Sequence, residues 1–175
     1  MRDYCFCTAR REWLFFSGDY GGLLKQNYNN LYLGCIFVDF SISHLRFFTN
    51  ERWIDYLIET KLKIVIVCDK YLKPLANYWF KHSKDIFLVI YQQDRLTLAC
   101  EKLKRDLSIS ATPSLAESHS ELEFAVLSAL ISGDGCLQLA DELNVDIRTI
   151  YAAKRRAEKK MGADINTLFR FSHSL

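Results

Sequence analysis

Between Arg148 and Lys160, six cations (Arg148, Lys154, Arg155, Arg156, Lys159 and Lys160) face a single anion, Glu158. Side chains of this kind at this density suit a polyanion. Each ammonium or guanidinium neutralises one phosphate and releases its counterions, and an arginine can also hold a guanine edge through two N–H donors. Charge alone does not separate such a surface from a solvated helix face, because many surface helices carry several Lys and Arg with no partner. The surroundings sharpen the contrast. From Ser120 to the C-terminus seven Arg/Lys stand against eight Asp/Glu, so positive charge is concentrated on one element.

Other chemistry is poorly supported. Six cysteines (Cys5, Cys7, Cys35, Cys68, Cys100, Cys136) are scattered through apolar runs with no export signal, which predicts reduced, mostly buried thiols. Cys5-Phe6-Cys7 is the only close pair. It lacks the Cys-x-x-Cys spacing, a second Cys/His pair and any basic neighbour closer than Arg10, so neither redox nor zinc chemistry is expected. The abundant aromatic residues follow helical and strand spacing and read as core. No catalytic, cofactor-binding or metal-binding residue is assigned, and no enzyme activity or small-molecule ligand is expected.

The elements that must carry these residues follow from periodicity. In a chain of 175 residues, half of them apolar, a sizeable core can form. No run reaches the roughly 18 apolar residues of a membrane helix, and Met1-Arg2-Asp3-Tyr4 is not followed by a secretory cleavage pattern, so a cytoplasmic location without membrane contact is expected. Cys35–Val38, Ile64–Cys68 and Ile86–Tyr91 are short β-branched or aromatic runs that read as buried strands, with Tyr4–Cys7 a weaker fourth. Helix-like segments lie between them at about 10–25, at about 50–60 with Trp53, Ile54, Leu57 and Ile58 on one face, and at about 70–80. This alternation predicts an α/β unit with a shortened parallel sheet over residues 1–107. Leu96, Cys100, Leu103 and Leu107 recur at helical spacing after the last strand. They are a candidate subunit interface, although a helix packed wholly on the chain's own sheet would show the same period.

Residues 108–119, opening with Ser, Thr, Ala and a proline without apolar period, read as a linker. Residues 120–175 then predict an all-α domain of four short helices. Ser120 and Glu123 have capping-box spacing, and Gly133-Asp134-Gly135 closes the first helix. Leu137, Ala140 and Leu143 mark a second helix, Asn144-Val145-Asp146 a tight turn, and Asp146 the N-cap of the charged third helix, which Gly162 ends. A fourth runs from Asp164 to Phe171. Two short helices joined by a three-residue turn are a helix-turn-helix candidate. Ile147, Ile150, Ala157 and Met161 supply a buried stripe on the third helix, with Arg148, Tyr151, Ala152, Arg155, Arg156 and Lys159 outside it. Ala152 and Ala153 are small enough to let the backbone approach a duplex closely.

Residues 120–171 resemble the LuxR-type helix-turn-helix, also called the FixJ or NarL type, without a gap. Val126-Leu127 and Leu130 resemble its first-helix core, Gly133 its turn glycine, and Leu139-Ala140 with Leu143 its scaffold helix. Val145, Thr149-Ile150 and Lys160-Met161-Gly162 resemble its aliphatic, Thr-Val and Lys-Leu-Gly positions. The resemblance implies a transcriptional regulator that binds double-stranded DNA with its third helix in the major groove. Tyr151, Ala152 and Arg155 would face bases, and Arg148, Thr149, Lys154, Arg156 and Lys159 would contact phosphates. Two positions depart from the family: His119-Ser120-Glu121 stands where Leu-Thr-Pro is usual, and Tyr151 replaces a common lysine.

The strand–helix alternation of residues 1–107 resembles a phosphoacceptor receiver in degenerate form. Asp39, following Ile36-Phe37-Val38, occupies the acceptor position. Thr8-Ala9-Arg10-Arg11 puts cations where metal-binding acids are required, Cys68 lies near the hydroxyl position, and Tyr91-Gln92-Gln93 replaces the lysine. Residues 27–33 are also too short for the usual second strand and helix. Phosphorylation of Asp39 is therefore not expected. A degenerate receiver before a LuxR-type domain is similar in layout to atypical auxiliary regulators of enterobacteria, which implies a homodimer or a heterodimer with a response regulator. The alternative from another class is an adaptor that sequesters another regulator without reading DNA, although six cations on one helix serve no purpose there.

Overall fold

The computed structural model describes residues 5–7, 35–92 and 117–173. The apolar runs form strands where their side chains predict them: β1 (Cys5–Cys7), β2 (Cys35–Phe40), β3 (Lys63–Cys68) and β4 (Ile86–Tyr91). They make one sheet in the order β1-β2-β3-β4 with every pairing parallel. Parallel neighbours require crossovers. A 3₁₀ turn (Ile42–His44), α1 (Leu45–Phe48) and α2 (Arg52–Ile58) link β2 to β3, and α3 (Lys73–His82) links β3 to β4. Ile64, Val65 and Ile66 are all fully buried although successive residues point to opposite faces, so β3 is covered on both sides. Trp53, Ile54 and Leu57 of α2 are buried, whereas Ile58, expected on the same face, sits at the helix end and is 37% exposed. The expected helices at 10–25 and around Leu96, Cys100, Leu103 and Leu107, the Thr8–Arg11 stretch, segment 27–33 and the Ser-rich part of the linker lie outside the described residues.

Four helices follow: α4 (Glu121–Ser132), α5 (Cys136–Glu142), α6 (Ile147–Met161) and α7 (Ile165–His173). Their ends are set by local chemistry that the sequence displays. The Ser120 hydroxyl accepts from the Glu123 N–H at 3.3 Å while the Glu123 carboxylate accepts from the Ser120 N–H at 3.0 Å, a complete capping box. Asp146 accepts from the Arg148 N–H at 2.6 Å and opens α6. Gly133 and Gly162 close α4 and α6 at φ +98° and +71°, a region costly for a residue with a Cβ.

The helical domain is docked on the sheet unit through a common core. Phe124 of α4 stacks on Tyr78 (centroids 4.3 Å apart, 9° between planes) and meets Trp79 edge-on at 5.3 Å. Trp79 in turn meets Trp53 edge-on, and Trp53 touches Phe48 and Phe40, so aromatic contact runs unbroken from β2 to α4. Leu127, Ile131, Met161, Ile165 and Leu168 join the same cluster of buried residues as Ile36, Ile64 and Leu75. Polar contacts fix the orientation: the Ser128 hydroxyl donates to the Thr49 carbonyl at 2.8 Å and the His119 N–H to the Pro74 carbonyl at 3.2 Å.

Candidate nucleic-acid interface

α6 is amphipathic in the strict sense: Ile150, Ala153 and Ala157 are fully buried and Met161 nearly so. Ile150 and Ala153 pack on Val126 of α4 and on Leu139 and Ala140 of α5, while Met161 enters the shared core beside Ile165. The helix is thus held at both ends by different packing groups, with its remaining face outward. Ile147, expected in the stripe, is half-buried, and Ala153 completes the stripe in its place. Of the two adjacent alanines only Ala152 is exposed. The reason is rotational: Ala153 lies three residues from Ile150 and four from Ala157 and so shares their side of the helix. Leu143, expected in the scaffold packing, is 42% exposed at the end of α5.

The outward face carries Arg148, Thr149, Tyr151, Ala152, Arg155, Arg156 and Lys159, all exposed. The six cations divide into two groups. The Lys154 ammonium lies 3.8 Å from the Glu158 carboxylate one turn on. Arg156 Nε donates to Glu123 Oε1 at 3.2 Å, and Lys160 Nζ donates to Glu123 Oε2 at 2.6 Å and to the Ser118 carbonyl at 2.7 Å. Among the described residues the side chains of Arg148, Arg155 and Lys159 have no hydrogen-bond or ion-pair partner.

Glu123 is the residue that sequence reasoning placed only in part. Its spacing from Ser120 revealed the cap, but its side chain, 3% exposed, also receives two cations from a helix more than thirty residues away. Burial by itself would raise its pKa. Hydrogen bonds from Lys160 and from the Ser120 N–H, with the nearby positive charge, turn the net shift downward. No local sequence signal announces that pairing.

The carboxyl-terminal edge of the sheet holds the other candidate. Asp39 Oδ2 lies 3.6 Å from His44 Nδ1, and the Ser41 and Ser43 hydroxyls approach the same nitrogen at 3.2 and 3.4 Å. Burial raises the Asp39 pKa, against the opposing pull of His44 and Ser41. Asp69, at the end of β3, accepts from the Ile42 N–H at 2.6 Å and from the Tyr71 and Leu72 N–H groups at 2.9 Å, tying the loop after β2 to the loop after β3. Burial likewise drives the Cys68 thiol well above its usual range, so it is held as the thiol, donating to the Asp69 carbonyl. Lys73 pairs with Glu117 and lies over the Tyr91 ring. No group of three His, Cys, Asp or Glu among the described residues is arranged to hold a metal ion.

Comparison with known proteins places the chain. The family model described as the EcpR N-terminal domain matches residues 2–107. The Escherichia coli (strain K12) protein named "Uncharacterized protein YqeH" is 44% identical over 174 residues, covering 98% of this chain and 82% of its own. Among solved structures, RcsB from Salmonella enterica serovar Typhimurium bound to promoter rprA is 18% identical with a TM-score of 0.41, over 93% of this chain and 99% of that one. Full-length FixJ from B. japonicum is 16% identical with a TM-score of 0.34, each chain being covered completely. Likeness at these scores is too distant to carry function across.

Proposed function

We propose, since the chain belongs to the family of the EcpR N-terminal domain, that it is a transcriptional regulator of the LuxR type that binds double-stranded DNA through α6. The observation that carries this reading is the outward face of that helix. Arg148, Arg155 and Lys159 are cations that nothing in the described protein neutralises, beside a half-exposed Tyr151 and an exposed Ala152. Water can solvate unpaired cations on any surface helix, but these three share the outward face of the second helix of a helix-turn-helix with Tyr151 and Ala152, where a duplex would supply phosphates.

Within this proposal Tyr151, Ala152 and Arg155 read bases: Arg155 can hold guanine O6 and N7 together, and Ala152 can touch a thymine methyl. Arg148, Thr149 and Lys159 meet phosphates. Lys154 and Arg156 join them after exchanging Glu158 and Glu123 for the backbone, so they contribute less per charge than Arg148 and Lys159. The chain acts as a homodimer or as a heterodimer with a response regulator, and without phosphorylation of its own. Support for the last point is the setting of Asp39, whose carboxyl lies 3.6 Å from His44, while the neighbouring Asp69 is taken up by backbone N–H groups.

The test is retention of random-sequence duplex DNA by the whole chain at two salt concentrations. Binding at low salt is expected, falling with salt at a log–log slope of at least about −3, one phosphate for each unpaired cation. No retained DNA at low salt overturns the proposal and leaves the adaptor. No helix among the described residues is long and apolar enough to cross a membrane.

A further inference from the structure

His119 stands at the junction between the sheet unit and the helical domain, and its surroundings are unusual for a titratable group. Its side chain is fully buried and neither ring nitrogen makes a hydrogen bond. Its own N–H is bound to the Pro74 carbonyl at the start of α3, and the carbonyl of the preceding Ser118 takes the Lys160 ammonium. The nearest carboxylate oxygen, Glu123 Oε2, is 3.5 Å from Nδ1 but already accepts from Lys160 and from the Ser120 N–H. The charged groups on the elements packed around His119 are Glu121 and Glu123 on α4, Arg156 and Lys160 on α6, and Lys73 and His82 on α3, with Arg46, Glu51 and Arg52 further along the same junction. Lys73 is paired with Glu117, and His82 lies 3.9 Å from Glu121. A proton on His119 would therefore add a third cation around one buried carboxylate, out of reach of water.

We propose that His119 is a proton-operated latch: neutral, it lets the helical domain close on α3, and protonated, it drives the junction open. Opening would expose the ring and part Phe124 from Tyr78 and Trp79. The latch is independent of whether α6 binds DNA.

The direction follows from linkage. Burial lowers the ring's pKa from 6.5 to about 4, Glu123 pulling it up and Lys160 pushing it further down. In the open state the ring is in water and titrates near its ordinary value. The open state therefore binds more protons. The closed state is favoured in full above about pH 6.5 and loses ground roughly tenfold per pH unit as pH falls toward 4.

Amide hydrogen exchange of the whole chain between pH 7.5 and 4.5, corrected for intrinsic rates, reads the opening. Amides of α3 and α4 are expected to exchange about tenfold faster per pH unit below 6.5, while the Ile64–Val67 amides of β3 keep their protection. The acceleration should vanish in His119→Leu and persist in His82→Gln, the other histidine of the junction. His119→Gln, which cannot titrate but stays polar, serves in the same role if the leucine variant does not fold. A ring titration of His119 by NMR should give a midpoint near 4. Equal acceleration in β3, acceleration surviving the loss of His119, or a ring midpoint near 6.5 would each overturn the latch.

Discussion

Charged residues at the carboxyl-terminal edge of the sheet and on the outward face of α6 are treated in opposite ways. At the sheet edge Asp69 satisfies three backbone N–H groups and Asp39 faces His44, so each carboxylate is turned on the chain itself. On α6, Arg148, Arg155 and Lys159 have no partner among the described residues, in a helix that is otherwise firmly anchored. What separates the charges turned on the chain from those left to solvent is therefore their inventory of partners. Residue type and density do not make the distinction, since Lys154, Arg156 and Lys160 come from the same run as the free cations and are all paired.

The comparison can be broken most sharply at Asp69. Asp69→Ala orphans three backbone donors that two loops share and should cost about 3 kcal/mol in denaturant unfolding, whereas Arg155→Ala should stay within about 0.5 kcal/mol of wild type. Equal losses in the two variants would erase the distinction. Next in size, Arg155→Ala should lose about 2 kcal/mol of discrimination at one base position, seen as a relaxed motif in selection from random duplexes. An unchanged motif with uniformly weaker binding would move Arg155 into the phosphate fringe. Lys159→Ala should weaken all sequences alike and flatten the salt slope by about 1.

The smallest effect is expected at Asp39. Its folded pKa is raised chiefly by burial, so the folded state holds the proton more tightly than the unfolded chain. This group's contribution to stability accordingly rises as pH falls through the range just above the ordinary carboxylate value. Asp39→Asn should remove that dependence, keep stability at pH 7 within about 1 kcal/mol, and leave DNA binding untouched. A loss near that of Asp69→Ala would make the two aspartates equal partners in holding the edge.

Much of α6 was legible in advance because its determinants are local. Asp146 and Gly162 bound the helix through their own backbone chemistry, and Ile150, Ala157 and Met161 recur at helical spacing. The strands were legible for a similar reason: β-branched runs too short for a helix have few other places to go. Ala153 was harder, because adjacent alanines are chemically identical and only the helix's rotation against α4 and α5 decides which is covered. Leu143 failed as a core residue because the chain turns into Asn144, at φ +51°, before its side chain can reach the packing. The division of cations into free and paired was not readable at all, since Glu123 is distant in sequence and carries a sufficient local explanation as a cap.

By itself, then, the sequence determined the strands, the four C-terminal helices with the ends of α4 and α6, and the polarisation of positive charge onto one helix, all of which are written within a few neighbouring residues, whereas the short turns between Ile42 and Phe48 were not. The tertiary structure alone decided that Phe124 closes on Tyr78 and Trp79, that Glu123 pairs with Arg156 and Lys160 of α6, and that His119 is sealed between two units. These pairings join residues tens of positions apart. Their energies come from desolvation and packing, which exist only once the chain has brought those surfaces together.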